Sequence, residues 1–273
     1  MNRLFVAYKP AGIGSNLFLS KLKRKYGVKK AGFSGTLDPF AKGVLVIGFG
    51  QYTKLFRFLN KTPKTYRATL WLGAKSASLD TELVENVTIP KEFSFDAVKQ
   101  AVSSLEGELE YEPPIFSAKK IDGQRAYDLA RAGKEVALNK VHATIYEAKL
   151  LHYCHPFVTF EATVSEGTYI RSLGLIIANR LGVEFGALSM LERLREGQFV
   201  YEDEAALHIK HSLAIPQNRY LGDADNIKYG RVLALEDLEI QDEGTYFIDS
   251  GKSLSIITVT CNKVKYELGK IVC

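Results

Sequence analysis

The sequence predicts an α+β fold with a small β-rich unit at its C-terminal end, and three observations lead there. Strand-like and helix-like patterns are mixed along the chain without regular βα alternation, which argues against a doubly wound sheet. Apolar residues (46%) and charged residues (25%) stand at ordinary globular levels in a chain of 273, long enough for one large domain and an appendage. Charge sign and texture both change near 210–220, which divides the chain into 1–210 and 221–273.

Residues 5–8 read as a short strand ending in the turn Lys9-Pro10-Ala11-Gly12. Ser15 is expected to cap a helix running to about Tyr26. Phe18, Leu19, Leu22 and Tyr26 share one face of it, and Lys21, Lys23, Arg24 and Lys25 occupy the rest. Lys29 and Lys30 carry the charge toward Gly32-Phe33-Ser34-Gly35-Thr36-Leu37-Asp38-Pro39, where two glycines and a proline suit a chain reversal. The apolar run 44–47 reads as a buried strand behind that turn. A short basic helix is expected over 53–59. Residues 64–72 then alternate as a strand, with Tyr66, Ala68, Leu70 and Leu72 on one side.

Ser94 precedes a helical pattern carrying Phe95, Val98, Val102 and Leu105 and stopped by Gly107. Residues 113–118 are expected to be extended, Asp122-Gly123 to turn, and 126–132 to form a helix ended by Gly133. Strands at 144–153 and 157–164 precede a helix over 169–181 and a turn near Leu191-Glu192-Arg193. After the polar stretch 201–220 come strands near 246–248, 254–260 and 264–268.

Charge points to the partner. Residues 1–79 hold 15 Lys and Arg but a single carboxylate, Asp38, whereas 221–273 hold six bases and nine acids. A basic half with interleaved aromatics is the footprint of a nucleic-acid binder. Asp38 itself has two readings. One is the closure of an Asp-Pro turn. The other is an ionised carboxylate held against a polyanionic substrate, its pKa lowered by the surrounding cations.

Cys154, Cys261 and Cys273 are odd in number and unpatterned, and His152, Cys154 and His155 lack a second set of ligands nearby. His142, His208 and His211 are scattered, with no nucleophile signature beside them. Neither metal nor cofactor is expected. No apolar stretch approaches the roughly 20 residues of a membrane span. The N-terminus lacks a signal-peptide core and leads straight into a strand, so a cytoplasmic protein is expected.

The loop Gly35-Thr36-Leu37-Asp38-Pro39 with Ala41-Lys42-Gly43-Val44-Leu45 resembles the catalytic motif of pseudouridine synthases of the TruB type, which modify uridine 55 of tRNA. Further motifs arrive in that family's order: Lys9-Pro10-Ala11-Gly12 with Ser15-Asn16, Lys64-Thr65-Tyr66, and Pro113-Pro114-Ile115-Phe116-Ser117-Ala118-Lys119-Lys120 with Gly123-Gln124-Arg125-Ala126-Tyr127. Gly167-Thr168-Tyr169-Ile170-Arg171-Ser172-Leu173, then Gly186-Ala187 and Leu191-Glu192-Arg193, complete the set, so the resemblance covers about residues 4–200.

The resemblance implies the pseudouridine synthase fold, a mixed and mainly antiparallel sheet flanked by helices, followed by a small RNA-binding domain of the PUA kind. It implies Asp38 as the essential carboxylate, Arg171 as its cationic partner, and Tyr66 as the ring stacked on a flipped uracil. Tyr169 and Leu191 would line the pocket, and Lys9 would support the loop or meet phosphate. Lys21, Arg24 and Lys42 would meet the T-arm of tRNA, with Phe33 in the gap left by the extruded base. A monomer acting on tRNA without metal, cofactor or obligatory protein partner is expected. The alternatives are a tRNA-folding chaperone in which modification is secondary, and a synthase acting on another RNA.

This chain departs from the family at three places. Phe33 stands where a histidine is usual, the acidic stretch after the tyrosine strand is thinned to Ala74-Lys75-Ser76-Ala77-Ser78-Leu79-Asp80, and Ile176 replaces a frequent acid.

Overall fold

In the computed structural model, which describes residues 1–117, the short strands at 120–121 and 124–125, and 138–273, the apolar run 44–47 is buried on both faces. β1 (Arg3–Lys9), β2 (Ala31–Ser34) and β3 (Lys42–Phe49) pair antiparallel, and α1 (Ser15–Lys25) lies over one side of them. Because side chains alternate along a strand, Phe5, Ala7, Leu45 and Ile47 meet Phe18 and Leu22 of α1. Leu4, Val6, Val44 and Val46 face the opposite way, into a second core.

β4 (Lys64–Leu72) buries Tyr66, Ala68, Leu70 and Leu72 as its alternation requires, and its other face pairs Thr65 with Thr163 and Thr69 with Thr159. The hairpin β5 (Ala74–Ser76) and β6 (Val84–Val87) precedes α2 (Phe95–Ser103) and β7 (Gly107–Tyr111). Short strands β8 (Lys120–Ile121) and β9 (Gln124–Arg125) pair with each other. Then come β10 (Val141–Cys154), β11 (Phe157–Val164), α3 (Ile170–Arg180) and β12 (Gly186–Glu196). The expected turn at 122–123 and helix at 126–132 lie outside the described residues.

The main sheet has eight strands, ordered β1-β3-β12-β4-β11-β10-β7 with β2 on β3. Every pairing is antiparallel except the short parallel contact of β3 with β12, so the sheet is mixed and mainly antiparallel. α2 and α3 cover one face through Val98, Val102, Leu173 and Ile177.

Beyond the short helix α4 (Ile209–Ser212), a second sheet runs β13-β14-β15-β16, with β13 (Gln217–Asn218), β14 (Gly244–Asp249), β15 (Ser253–Thr260) and β16 (Lys263–Val272). α5 (Ala224–Tyr229) lies between its first two strands in sequence. Phe247, Leu254, Ile256 and Ile271 pack against Leu4, Val6, Val44 and Val46, so the two sheets share a core.

Four local expectations need correction. The stretch expected to turn at Leu191-Glu192-Arg193 is the middle of β12, an eleven-residue strand inside the sheet. Two bulges interrupt its period, and buried Arg193 and Glu196 hide its apolar face. Ser15 is not the cap of α1: Gly14 takes that place without a side-chain bond, and the serine hydroxyl is used elsewhere. Residues 53–59 form 3₁₀ turns, Gly50–Lys54 and Phe56–Phe58, rather than an α-helix. Phe95 is largely exposed, while Val98, Val102 and Leu105 are fully buried as their spacing requires.

Candidate active site

The loop between β2 and β3 is held from below by the first motif of the chain. Ser15 Oγ accepts a hydrogen bond from the Leu37 amide at 3.0 Å and donates to the Leu37 carbonyl at 2.9 Å. The Gly12 amide donates to the Pro39 carbonyl at 2.8 Å. Lys9 Nζ, with no solvent exposure, donates to the carbonyls of Ile13 (2.7 Å), Pro10 (2.9 Å) and Pro39 (3.4 Å). Its pKa falls to about 8, chiefly through burial and in lesser part through Arg193, while Asp38 pulls the other way. Of the two roles expected for Lys9, supporting the loop fits this geometry; an ammonium spent on buried carbonyls does not reach phosphate.

Leu37 anchors the loop in the core, and Asp38 beside it turns toward Arg171. The Arg171 Nε lies 3.0 Å from Asp38 Oδ2. Nη1 donates to the Ser78 carbonyl at 2.7 Å and lies 3.3 Å from Asp80 Oδ2, and Nη2 donates to the Phe116 carbonyl at 2.9 Å. Arg171 sits in the first turn of α3, where the helix dipole disfavours a cation. Two carboxylates and two carbonyls offset that cost, and the guanidinium is fixed at every edge.

Asp80, which in the sequence only ends the thinned acidic stretch and has no expected role, belongs to the site. Its carboxylate is buried, accepting from Ser78 Oγ at 2.6 Å and from the Glu82 amide at 2.9 Å. The available signal was that Asp80 is the next carboxylate after Asp38 in the chain, following the spaced hydroxyls of Ser76 and Ser78. Asp80 also reverses an expectation about Asp38. Burial, the largest influence, pushes the Asp38 carboxyl above its ordinary range; Asp80 adds to the rise, and Arg171 and Lys9 oppose it. Cations near a carboxylate in sequence do not set its titration; enclosure by protein atoms does. The side chain still keeps 37% exposure, on the side that opens into a cavity.

That cavity has a volume of about 560 Å³. Asp38 and Arg171 line it together with Tyr66 of β4, Tyr169 at the start of α3 and Leu191 of β12. The Tyr169 amide is held by Tyr111 Oη at 2.8 Å, a buried phenol whose pKa rises to about 12. Lys64 and Arg193 line the same wall, and neither was expected there. In the sequence Lys64 stands out only as the first residue of the motif that ends at Tyr66, and Arg193 only as part of an expected turn. Among the described residues no cluster of three or more His, Cys, Asp or Glu suits a metal ion.

The remaining expected contacts lie outside the cavity. Phe33 is half-buried on β2, packed toward the α1 core two residues before the cavity-lining Gly35. Lys21 and Arg24 are exposed on α1. Lys42 is half-buried and paired with Glu192 at 3.5 Å, and that carboxylate also accepts from Tyr8 Oη at 2.6 Å. Part of the basic face is engaged in the same way, Lys25 with Glu204 and Arg57 with Glu267, each at 2.7 Å.

Residues 23–170 match the family model described as the N-terminal domain of TruB family pseudouridylate synthases. The chain is 71% identical over 273 residues to a tRNA pseudouridine synthase B of Sulfurimonas denitrificans, covering 100% of both. It is 49% identical over 271 residues to one of Campylobacter jejuni strain RM1221, covering 99% of each. Among solved structures it is similar in fold to a chain of a Cbf5-Nop10-Gar1 complex, with a TM-score of 0.67 and 21% identity over 99% of this chain and 84% of that one. A chain of an archaeal box H/ACA sRNP Nop10-Cbf5 complex gives 0.68 and 19%, over 98% of this chain and 85% of that one. The family match, together with relatives similar from end to end, identifies the chain as a member of the TruB family of pseudouridylate synthases.

Proposed function

We propose that this chain converts uridine 55 in the T-loop of tRNA to pseudouridine. The observation that carries the reading is the Asp38–Arg171 pair, 3.0 Å apart at the wall of a cavity of about 560 Å³. A uracil inside a folded loop must leave its stack to be reached, and this cavity has room for a flipped nucleotide. Relatives similar from end to end are named tRNA pseudouridine synthase B, which supports tRNA as the substrate.

In the reaction the bond from the ribose to N1 of uracil breaks, the base turns, and a bond forms to C5. C5 gives up its proton and N1 gains one, so composition is unchanged. Asp38 acts as the carboxylate that adds to the base, attacks the sugar or removes a sugar proton; each course needs it ionised. Arg171 holds it charged and aimed against the rise that burial imposes. Tyr66 stacks on the flipped base and receives the C5 proton, while Tyr169 and Leu191 complete the pocket. The exposed cations of α1, Lys21 and Arg24 among them, meet T-arm phosphates, and Phe33 fills the gap in the stack. Residues 1–210 form the catalytic unit and 221–273, joined by β13 just before it, the small β-rich unit docked on it, acting as a cytoplasmic monomer.

The test uses a T-arm stem-loop carrying tritium at C5 of its uridines. Wild type releases tritium, and Asp38→Asn loses at least about 10³-fold in rate while filter binding of the RNA changes by less than about twofold. Binding without release by the wild type, on the stem-loop and on full tRNA, would overturn the reading in favour of an RNA chaperone.

A further inference from the structure

Glu196, the last residue of β12, has a carboxylate with no solvent exposure. A buried carboxylate persists only where cations and donors surround it. Ser34 Oγ donates to Oε1 at 2.9 Å, and Lys64 Nζ lies 3.5 Å from the same oxygen. Oε2 makes no hydrogen bond among the described residues and has Arg193 Nη2 at 3.3 Å. The cluster closes on one carbon: a Cβ at Gly35 would stand 3.0 Å from Arg193 Nη1, 3.0 Å from Glu196 Oε1 and 3.2 Å from Lys64 Nζ. Gly35 also holds φ at +62°, so a side chain there would be strained and would press this charged cluster apart by a few tenths of an ångström.

Each partner of Glu196 leads to a different wall of the cavity. Ser34 and Gly35 begin the loop that carries Asp38. Lys64 precedes Tyr66 by two residues on β4, with its side chain on the same face. Arg193 follows Leu191 by two and donates to the carbonyls of Val44 (2.8 Å) and Gly35 (2.9 Å), the two sides of the loop. Lys64 also lies 3.7 Å from Glu166, beside the segment that presents Tyr169 and Arg171. Glu196 thus stands between two cations that would otherwise repel each other at the wall of the site, with Glu166 on the outer side of Lys64.

We propose that Glu196 is a positioning residue for the isomerisation: its charge holds Lys64, Arg193 and Ser34 so that Asp38, Tyr66 and Leu191 keep one geometry. The proposal rests on the uridine-isomerising reading of the same cavity. Replacing the carboxylate by an amide keeps the shape and the acceptor for Ser34 but takes from Arg193 its carboxylate partner and leaves Lys64 with Glu166. Lys64 then turns toward half-exposed Glu166, and the loop is released at Gly35. A displacement of about 1 Å in a reacting group costs on the order of 10²-fold in rate.

The experiment compares wild type, Glu196→Gln, Glu196→Asp and Ser34→Ala on tritiated T-arm RNA, with kcat, KM and thermal unfolding measured for each. Glu196→Gln loses on the order of 10²-fold in kcat below its melting temperature, with KM within about twofold. Glu196→Asp, which keeps the charge on a shorter arm, recovers part of that loss. Ser34→Ala, which removes only one hydrogen bond, loses about fivefold in kcat. If Glu196→Gln lowers the melting temperature alone, or raises KM with kcat intact, the positioning role is overturned. Should Glu196→Gln not fold, an unchanged kcat in Ser34→Ala overturns it. Wild type inactive on T-arm and full tRNA defeats the functional reading itself, a result separate from equal activity in wild type and variants.

Discussion

The cations of the N-terminal part fall into two populations that composition does not distinguish. On α1, Lys21 and Arg24 stand in water, and Lys25 pairs with Glu204 at the surface. Around the cavity, Lys9, Lys64, Arg171 and Arg193 are buried, each surrounded by carbonyls or carboxylates at hydrogen-bonding or ion-pair distance. Surface charges act at long range, are screened by salt and contribute little to stability. Buried charges cost desolvation and persist only in fixed geometry, so they define shape rather than attraction. On the proposed function the same residue types therefore divide the work: the outer set would draw in a polyanion, and the inner set would hold the reacting groups still.

Changing one residue of each population tests this division. Arg171→Lys keeps the charge but loses the planar fork that reaches Asp38, Asp80 and two carbonyls at once. It is expected to lower kcat on the order of 10²-fold with little change in RNA affinity, read from tritium release and filter binding. A loss of similar size in affinity would show that the inner set also attracts.

The converse change, Lys21→Ala with Arg24→Ala, is expected to weaken binding about tenfold at moderate salt and leave kcat within about twofold. The slope of log affinity against log salt should fall by about 1.5 in magnitude, the release expected for two phosphate contacts. An unchanged slope would remove α1 from the RNA path.

The smallest effect concerns pH. Asp38 titrates above its ordinary range in the fold, so between its unfolded and folded pKa values the native state binds more protons than the unfolded chain. Wild-type stability therefore falls as pH rises through that window and stays lower above it. Asp38→Asn should be more stable than wild type at neutral pH, the gain vanishing below about pH 4. Urea unfolding at several pH values measures this. The acidic limb of wild-type kcat/KM should likewise lie above the usual carboxylate range; a limb at or below it would place Arg171 and Lys9 ahead of burial.

Several elements were legible before the fold was known. The unbroken run 44–47 and the alternation of 64–72 follow from how strands expose their side chains, and both stand in the sheet as read. The Ser94 cap is present, donated to by the Ala97 amide at 3.2 Å. β12 was illegible because its middle carries buried Arg193 and its end buried Glu196, charges that sequence patterns assign to the surface. Ser15 looked like a cap because Ser before an apolar helix usually is one; its hydroxyl instead clamps the Leu37 backbone 22 residues away.

What the sequence by itself determined is the set of local periods, the basic half of the chain, and the presence of Asp38 as the lone carboxylate among its first 79 residues. The motif order led from there to the family and to the mixed, mainly antiparallel sheet. Only the tertiary structure decided that Asp38 shares Arg171 with Asp80, that Lys9 is buried, and that Glu196 joins three walls of the cavity. The reason is physical. Periodicity and turn chemistry act between near neighbours, whereas desolvation and charge pairing depend on which distant segments fold against one another.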